Sequence, residues 1–417
     1  MPLLSLLDDR SKPKGSRDPL GFELVWSTLG RNVIGNLTTI TSSLENFTTA
    51  LLGFYWANEL ASESEPTARN KQIREYFLRY EQVAAYLRRI GQSNAIMGIN
   101  RVSQRMNEQN KIAIGTGKEQ ILSNQASYGL WGLYSSAMRD TGLIRGNDRE
   151  LTESGLQIAL QLEALVDKPA IQEMISAKEI SVQRLESYSA EFMDMLANPA
   201  MTLNMLEQLL VGITSSTKLE QGQNCLQQEL WRHTQELVKN RILMSNKDSY
   251  INELLNKNIS PQLKSALKEI TVVDEVLAAI NNIFQYCQTQ HGVELEKVIK
   301  TLEDKEFDFS YLPDELPQSN YPRKDQISMI LKQIKSYDFT NAITMIIDLN
   351  KVVMQKRGGA AWIRVDENKK LDVLIKSESA KLLNTEELRK KWAYDYFIGS
   401  FLTMALTYQN LMISEGK

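Results

Sequence analysis

Histidine and cysteine are scarce in this 417-residue chain, two of each, with only 10 prolines and 21 glycines. The cysteines, Cys225 and Cys287, cannot build a disulfide framework and point to a reducing compartment. The histidines, His233 and His291, leave acid–base work mainly to carboxylates, and no pair of these stands out. Cys287 and His291 are four apart and on one helical face would make half a zinc site. Cys225 and His233 are eight apart, about 12 Å along a helix, too far to share an ion. No metal, cofactor or catalytic residue is therefore expected. Scarce Pro and Gly favour long helices over a turn-rich β architecture.

A long apolar run is lacking as well. The most apolar stretch, between Arg31 and Glu59, is divided by Glu45 and rich in Thr, Ser and Asn. It falls short of the roughly 20 mostly apolar residues a membrane span needs. The opening MPLLSLLDDR has no basic residue ahead of its apolar run and meets Asp8-Asp9 at once, so no secretory signal is expected. The sequons Asn36-Leu-Thr38 and Asn46-Phe-Thr48 then read as chance matches. The expectation is a cytoplasmic protein with no membrane partner.

What is present is helical patterning. Hydrophobic residues make up 42% of the chain, enough to exclude a disordered polymer, and the length suggests two or three domains. Residues 1–18 are polar and read as flexible. From Phe22 to Leu51 apolar residues recur at three- or four-residue steps, a core stripe of one or two helices. After a break at 62–66, Ile73, Phe77, Tyr80, Val83 and Leu87 form another stripe ending near Gly91. Residues 152–305 are almost unbroken helical pattern, with stops at Pro169, Asn198-Pro199 and Ser260-Pro261. Segment 307–322 holds three prolines and reads as a linker. Helices follow around Ile327–Ile334 and Phe339–Gln355. Then 361–365 and 371–375 flank a charged turn as a β-hairpin, and a last helix runs from Thr385 to Ile413. The expected fold is mainly α: an N-terminal helical segment (1–65), a basic module (66–165), a helical region (166–306), the linker, and a helix–hairpin–helix domain (323–417).

Charge is unevenly placed. The formal total is −3, yet residues 66–149 carry 13 Lys+Arg against six acids, a balance of +7; the remainder holds 35 against 45, or −10. Arg88 to Lys118 contributes six cations and one acid, interleaved with Asn and Gln. That mixture suits phosphate contacts with groove hydrogen bonds, and equally a solvated face or a dock for an acidic partner. The candidate nucleic-acid contacts are Arg88, Arg89, Arg101, Arg105, Lys111, Lys118, Arg139, Arg145 and Arg149.

Within that segment Lys118–Gln125 reads as a short helix and Ala126–Gly142 as a longer one. Gly142-Leu143-Ile144 follows, then the charged Arg145–Glu150, then Leu151-Thr152-Glu153-Ser154-Gly155, with Thr152 placed to cap the next helix. This order resembles the second half of a winged-helix domain of the MarR type. The resemblance implies a recognition helix ending at Gly142, a short wing, and DNA or a protein as partner. The recognition helix is rich in Tyr, Trp, Gly and Ser with Arg139 its only cation, a composition that also suits packing on another helix. Gly21-Phe-Glu, Trp26, Gly30-Arg31 and Gly358-Gly-Ala-Ala-Trp362 resemble proteins encoded in bacterial phage-defence operons, which implies a defence complex with protein subunits from the same operon.

Two catalytic motifs fail on spacing. Gly115-Thr-Gly-Lys118 lacks the upstream Gly and the Ser/Thr after Lys of a phosphate-binding loop; Ile112 and Glu119 stand there. Glu367-Asn-Lys369 with Pro313-Asp314 has the residue types of a metal-dependent nuclease, but falls in a turn and a linker. The leading expectation is a non-catalytic, DNA-associated subunit of a bacterial complex; a purely protein-binding scaffold and a nuclease are the alternatives.

Overall fold

Short polar side chains set where many helices begin. Ser43, Thr152, Asp167, Asn198 and Ser260 each accept a backbone N–H from the first turn that follows. Pro169, Pro199 and Pro261 sit just inside three of those starts, where a missing N–H costs nothing. The structure, a computed structural model, describes residues 12–212, 226–240, 243, 246–377 and 380–414. It is mainly helical, as expected, and divides into two units, each built from separated stretches of chain: Met1–Arg31 with Ser260–Tyr396, and Asn32–Ile259 with Phe397–Lys417. The boundaries near 65, 165 and 306 do not coincide with this division, because distant stretches of sequence close each core.

The larger unit is organised on α2 (Leu44–Leu60) and α3 (Pro66–Ile90). Nearly every residue of α2 from Asn46 to Ala57 is buried, which explains its unusually apolar composition. Around them lie α4 (Ile99–Glu108), α5 (Gln125–Tyr128), α6 (Leu130–Asp140), α7 (Glu153–Glu163), α8 (Lys168–Ser176) and α9 (Val182–Leu196). Phe54 of α2, Phe77 of α3 and Trp131 of α6 join the three helices, with ring centroids 4.4, 5.7 and 5.3 Å apart. Asn36 and Asn46 of the two sequons are both buried here. Two small antiparallel pairs complete the region: β1 (Lys111–Ala113) with β4 (Glu179–Ser181), and β2 (Ile144–Arg145) with β3 (Glu150–Leu151). α10 (Pro199–Val211), α11 (Gln227–Lys239), α12 (Lys247–Leu255) and α18 (Ile398–Ser414) pack together, with Trp231 edge-on to Phe401 and Tyr408.

The smaller unit holds α1 (Glu23–Val33) as far as Arg31, then α13 (Pro261–Cys287), α14 (Leu295–Glu303), α15 (Lys324–Lys335), α16 (Phe339–Lys356) and the short α17 (Thr385–Arg389). The expected hairpin is present as β5 (Ile363–Val365) paired with β6 (Leu371–Val373).

Several expectations change. Residues 12–18 are placed by defined bonds: Ala360 N donates to Lys12 O, Trp362 Nε1 to Lys14 O, and the Arg357 guanidinium holds Asp18 at 3.0 Å. The glycines of Gly358–Trp362 thus let the chain lie against residues 12–14. Segment 307–322 is no linker, since Phe307, Phe309, Leu312, Leu316 and Tyr321 are buried. The terminal helix is two helices. The Asp274 carboxylate accepts the N–H groups of Ala393 and Tyr394, and Tyr396 and Phe397 take positive φ, ending helical continuity. Lys118–Asn124 is a loop rather than a helix, and Gly129, extended at φ −93° and ψ −169°, separates α5 from α6 at a point where a side chain would strike Gln125 O and Glu81.

Candidate nucleic-acid interface

The basic segment folds within the larger unit, from α3 to the β2–β3 hairpin, and its cations take different roles. Arg88 is buried (2% exposed), donating to Glu45 Oε2 at 3.0 Å and Ala95 O at 2.8 Å. It is an internal tie and drops out of the exposed face. Arg105 clamps the 118–120 loop, reaching the carbonyls of Lys118, Glu119 and Gln120 and the Tyr86 hydroxyl. Arg79 similarly holds Ile175 O and Ala177 O, and Arg69 holds Ala61 O and Asn58 O. Arginine is suited to such work because its fork offers five donors in one plane.

The other candidates reach the surface. Arg89 is half-buried and donates to Ser103 Oγ, while Arg101 is exposed and touches Gln120 O. Lys118 is exposed on the same loop. Lys111 faces Glu179 across the β1–β4 pair at 3.0 Å. Arg145 faces Glu150 at 3.4 Å across the small β2–β3 hairpin, where Arg139 and Arg149 also converge. Arg149 lies flat on Trp131, its guanidinium carbon 3.7 Å from the ring centroid, and donates to Ser135 Oγ at 2.7 Å. Burial, reinforced by the charges of Arg139 and Arg74, pulls Arg149 from its ordinary value down to about 10. Arg74 of α3 is exposed and its charge acts on Arg149; the signal for it in the sequence is its place one turn before Phe77.

The element order α6, β2–β3 hairpin, α7 follows the sequence motif. Thr152 Oγ1 donates to Gly142 O and accepts from Gly155 N–H. However, β1 pairs with β4 rather than with the hairpin. α6 turns Leu130, Trp131, Tyr134, Ser135, Ala137 and Met138 inward, leaving Gly132 and Ser136 as its exposed positions. Base edges would find few donors there.

A buried polar network positions the surface loops. Gln82 exchanges hydrogen bonds with Gly115, and Gln125 bridges Leu78 O, Glu81 and Ile121 N. In the Gly115–Lys118 turn the Glu119 carboxylate accepts from Gly117 N–H at 3.1 Å, occupying the place a phosphate would take.

The groups considered for metal and nuclease chemistry stand apart among the described residues. Among the described residues no three His, Cys, Asp or Glu side chains converge on a common point. Cys287 is buried at the end of α13, so His291 lies past the helix and accepts from Val373 N–H instead. Cys225 lies outside the described residues. Glu367 is exposed in the hairpin turn and Asp314 pairs with Lys335 at 2.5 Å. No family model, curated protein or solved structure matches the chain. No described helix is long and apolar enough to cross a membrane.

Proposed function

We propose that the protein is a non-catalytic, DNA-associated subunit of a bacterial multi-protein complex, contacting phosphates through the exposed cations of residues 66–149. One observation carries this reading. Of the 13 cations only Arg88 is buried, whereas two of the six acids, Glu81 and Asp140, are, so the accessible balance is 12 against four, or +8. Folding therefore sharpens the positive field that the composition implies. Hydrogen bonds from arginines to carbonyls leave their charge intact, so even the internal clamps contribute to it. Backbone contact suits this surface better than base reading, given the inward face of α6. In this reading the complex serves antiviral defence, the role that the resemblance to phage-defence operon proteins implies.

The test is a mobility-shift titration of the full chain against duplex DNA at two salt concentrations. Affinity is expected to fall steeply with salt, with a log–log slope of about −0.9 per phosphate neutralised. Arg101→Ala with Lys118→Ala, both exposed, should flatten that slope. Arg105→Ala is a poorer probe, because it also frees the 118–120 loop. No binding at low salt overturns the reading.

A protein-binding scaffold is the second reading, favoured by Leu156 and Leu160, exposed one turn apart on α7. Leu156→Asp with Leu160→Asp should then abolish co-purification with neighbouring gene products while leaving DNA titrations unchanged.

A further inference from the structure

Beside the β2–β3 hairpin the cations form something more specific than a charged face. Arg149 is fixed on three sides: Trp131 beneath it at 3.7 Å, Ser135 Oγ on Nε at 2.7 Å, and Asn147 O on Nη1 at 2.6 Å. Its backbone sits at φ +59°, a region non-glycine residues rarely adopt, so the turn is shaped at some cost to aim this side chain. Its Nη2 makes no hydrogen bond among the described residues. Arg139 Nη1 reaches the adjacent carbonyl of Gly146 at 3.4 Å, which brings a second guanidinium to the same turn. Arg74 lies exposed one helical turn before Phe77, whose ring is 5.3 Å from Trp131. None of the three pairs with a carboxylate among the described residues, and Asp148 is the single acid acting on Arg149.

We propose that Arg74, Arg139 and Arg149 form a seat for one doubly charged phosphate, the terminal phosphomonoester of a nucleic-acid strand. The charge sets the ligand. Three guanidiniums and Asp148 sum to +2, which a phosphomonoester at close to −2 neutralises and a backbone diester at −1 does not. Burial first, and then the charges of Arg139 and Arg74, lower the proton affinity of Arg149, and a bound anion would offset the second of these. Because Arg149 covers the Trp131 face, no base can stack there, so the seat recognises an end and not a sequence. This inference rests on the nucleic-acid reading above.

The experiment is fluorescence anisotropy of the full chain with duplexes of one sequence bearing 5′-phosphate, 3′-phosphate or only hydroxyl ends. A phosphate-ended duplex should bind about tenfold tighter than the hydroxyl-ended one, the worth of a charge-assisted contact. Arg74→Gln and Arg139→Gln, both at accessible positions, should reduce that preference to within about twofold, a loss beyond the general weakening that the same variants show with the hydroxyl-ended duplex. Equal affinity for all ends, or a preference that survives both variants, overturns the seat and leaves the DNA reading standing. If no duplex binds, that reading fails, and calorimetry with inorganic phosphate decides the seat alone. Saturable binding lost in Arg139→Gln supports it with free phosphate as the source, and no heat overturns it.

Discussion

Leu130 donates its backbone N–H to Glu81 Oε1 at 2.7 Å, so a carboxylate on α3 caps the first turn of α6 across the core. Gln125 Nε2 holds the other oxygen at 2.9 Å. Burial nevertheless raises Glu81 to about 7 from 4.5, its two hydrogen bonds and Arg88 opposing the rise. Between those values the folded chain keeps a proton that the unfolded chain has lost. The stability associated with that proton is fully present below pH 4.5 and declines as pH climbs to about 7, a change on the order of 3 kcal/mol. Urea unfolding at pH 5, 6, 7 and 8 should show this decline. Glu81→Gln should remove it, since an amide oxygen still accepts from Leu130. A slope identical in both proteins would contradict the assignment.

Arg88 should be a stability residue and not a binding one. Arg88→Ala strips Ala95 O of its guanidinium donor, leaves the partly exposed Glu45 with Ser93 Oγ, and opens a cavity. A loss of about 2–4 kcal/mol is expected from chemical denaturation, with DNA affinity of the folded fraction unchanged. A weakened salt slope in a fully folded variant would return Arg88 to the interface.

The Leu-Thr-x-x-Gly sequence has a steric explanation. A Cβ on Gly155 would lie 2.1 Å from Leu143 O, so the glycine lets α7 approach the hairpin entry. Gly155→Ala should cost about 3 kcal/mol and Thr152→Ala about 1 kcal/mol, through close contact and a lost cap respectively. Thermal unfolding ranks the two.

At the β5–β6 turn, Asp366 Oδ1 accepts from Asn368 N at 2.9 Å and Lys370 N at 2.7 Å, and Lys369 sits at φ +58°. Asp366→Ala is expected to lose about 1 kcal/mol, and Lys369→Gly to gain about 0.5 kcal/mol by relieving the left-handed backbone. Glu367→Ala should leave melting temperature and any measured activity untouched, as its exposed place in a turn implies. A lost cleavage activity would restore the nuclease alternative.

Much of the local structure was legible in the chain. Capping residues, prolines at helix starts and the change from helical to alternating period mark α3, α7, α8, α10, α13, α16 and the β5–β6 hairpin, because these signals act within a few residues. The basic segment was legible as well, since charge is a property of composition.

Partners at long range were not. The three-residue Glu179–Ser181 strand exists only because Lys111–Ala113 lies beside it, and nothing in Glu-Ile-Ser announces that. Tyr396 and Phe397 interrupt an unbroken apolar pattern because Asp274, more than a hundred residues earlier, captures the preceding N–H groups. The sequence by itself determined the mainly helical class, the capped and proline-marked helix starts and the positive excess of residues 66–149. Only the tertiary structure decided that Arg88 is buried on Glu45 and Arg105 clamps the 118–120 loop, while Arg139 and Arg149 reach carbonyls of one turn. An arginine's role depends on whether carbonyls or solvent surround its fork, and that follows from packing alone.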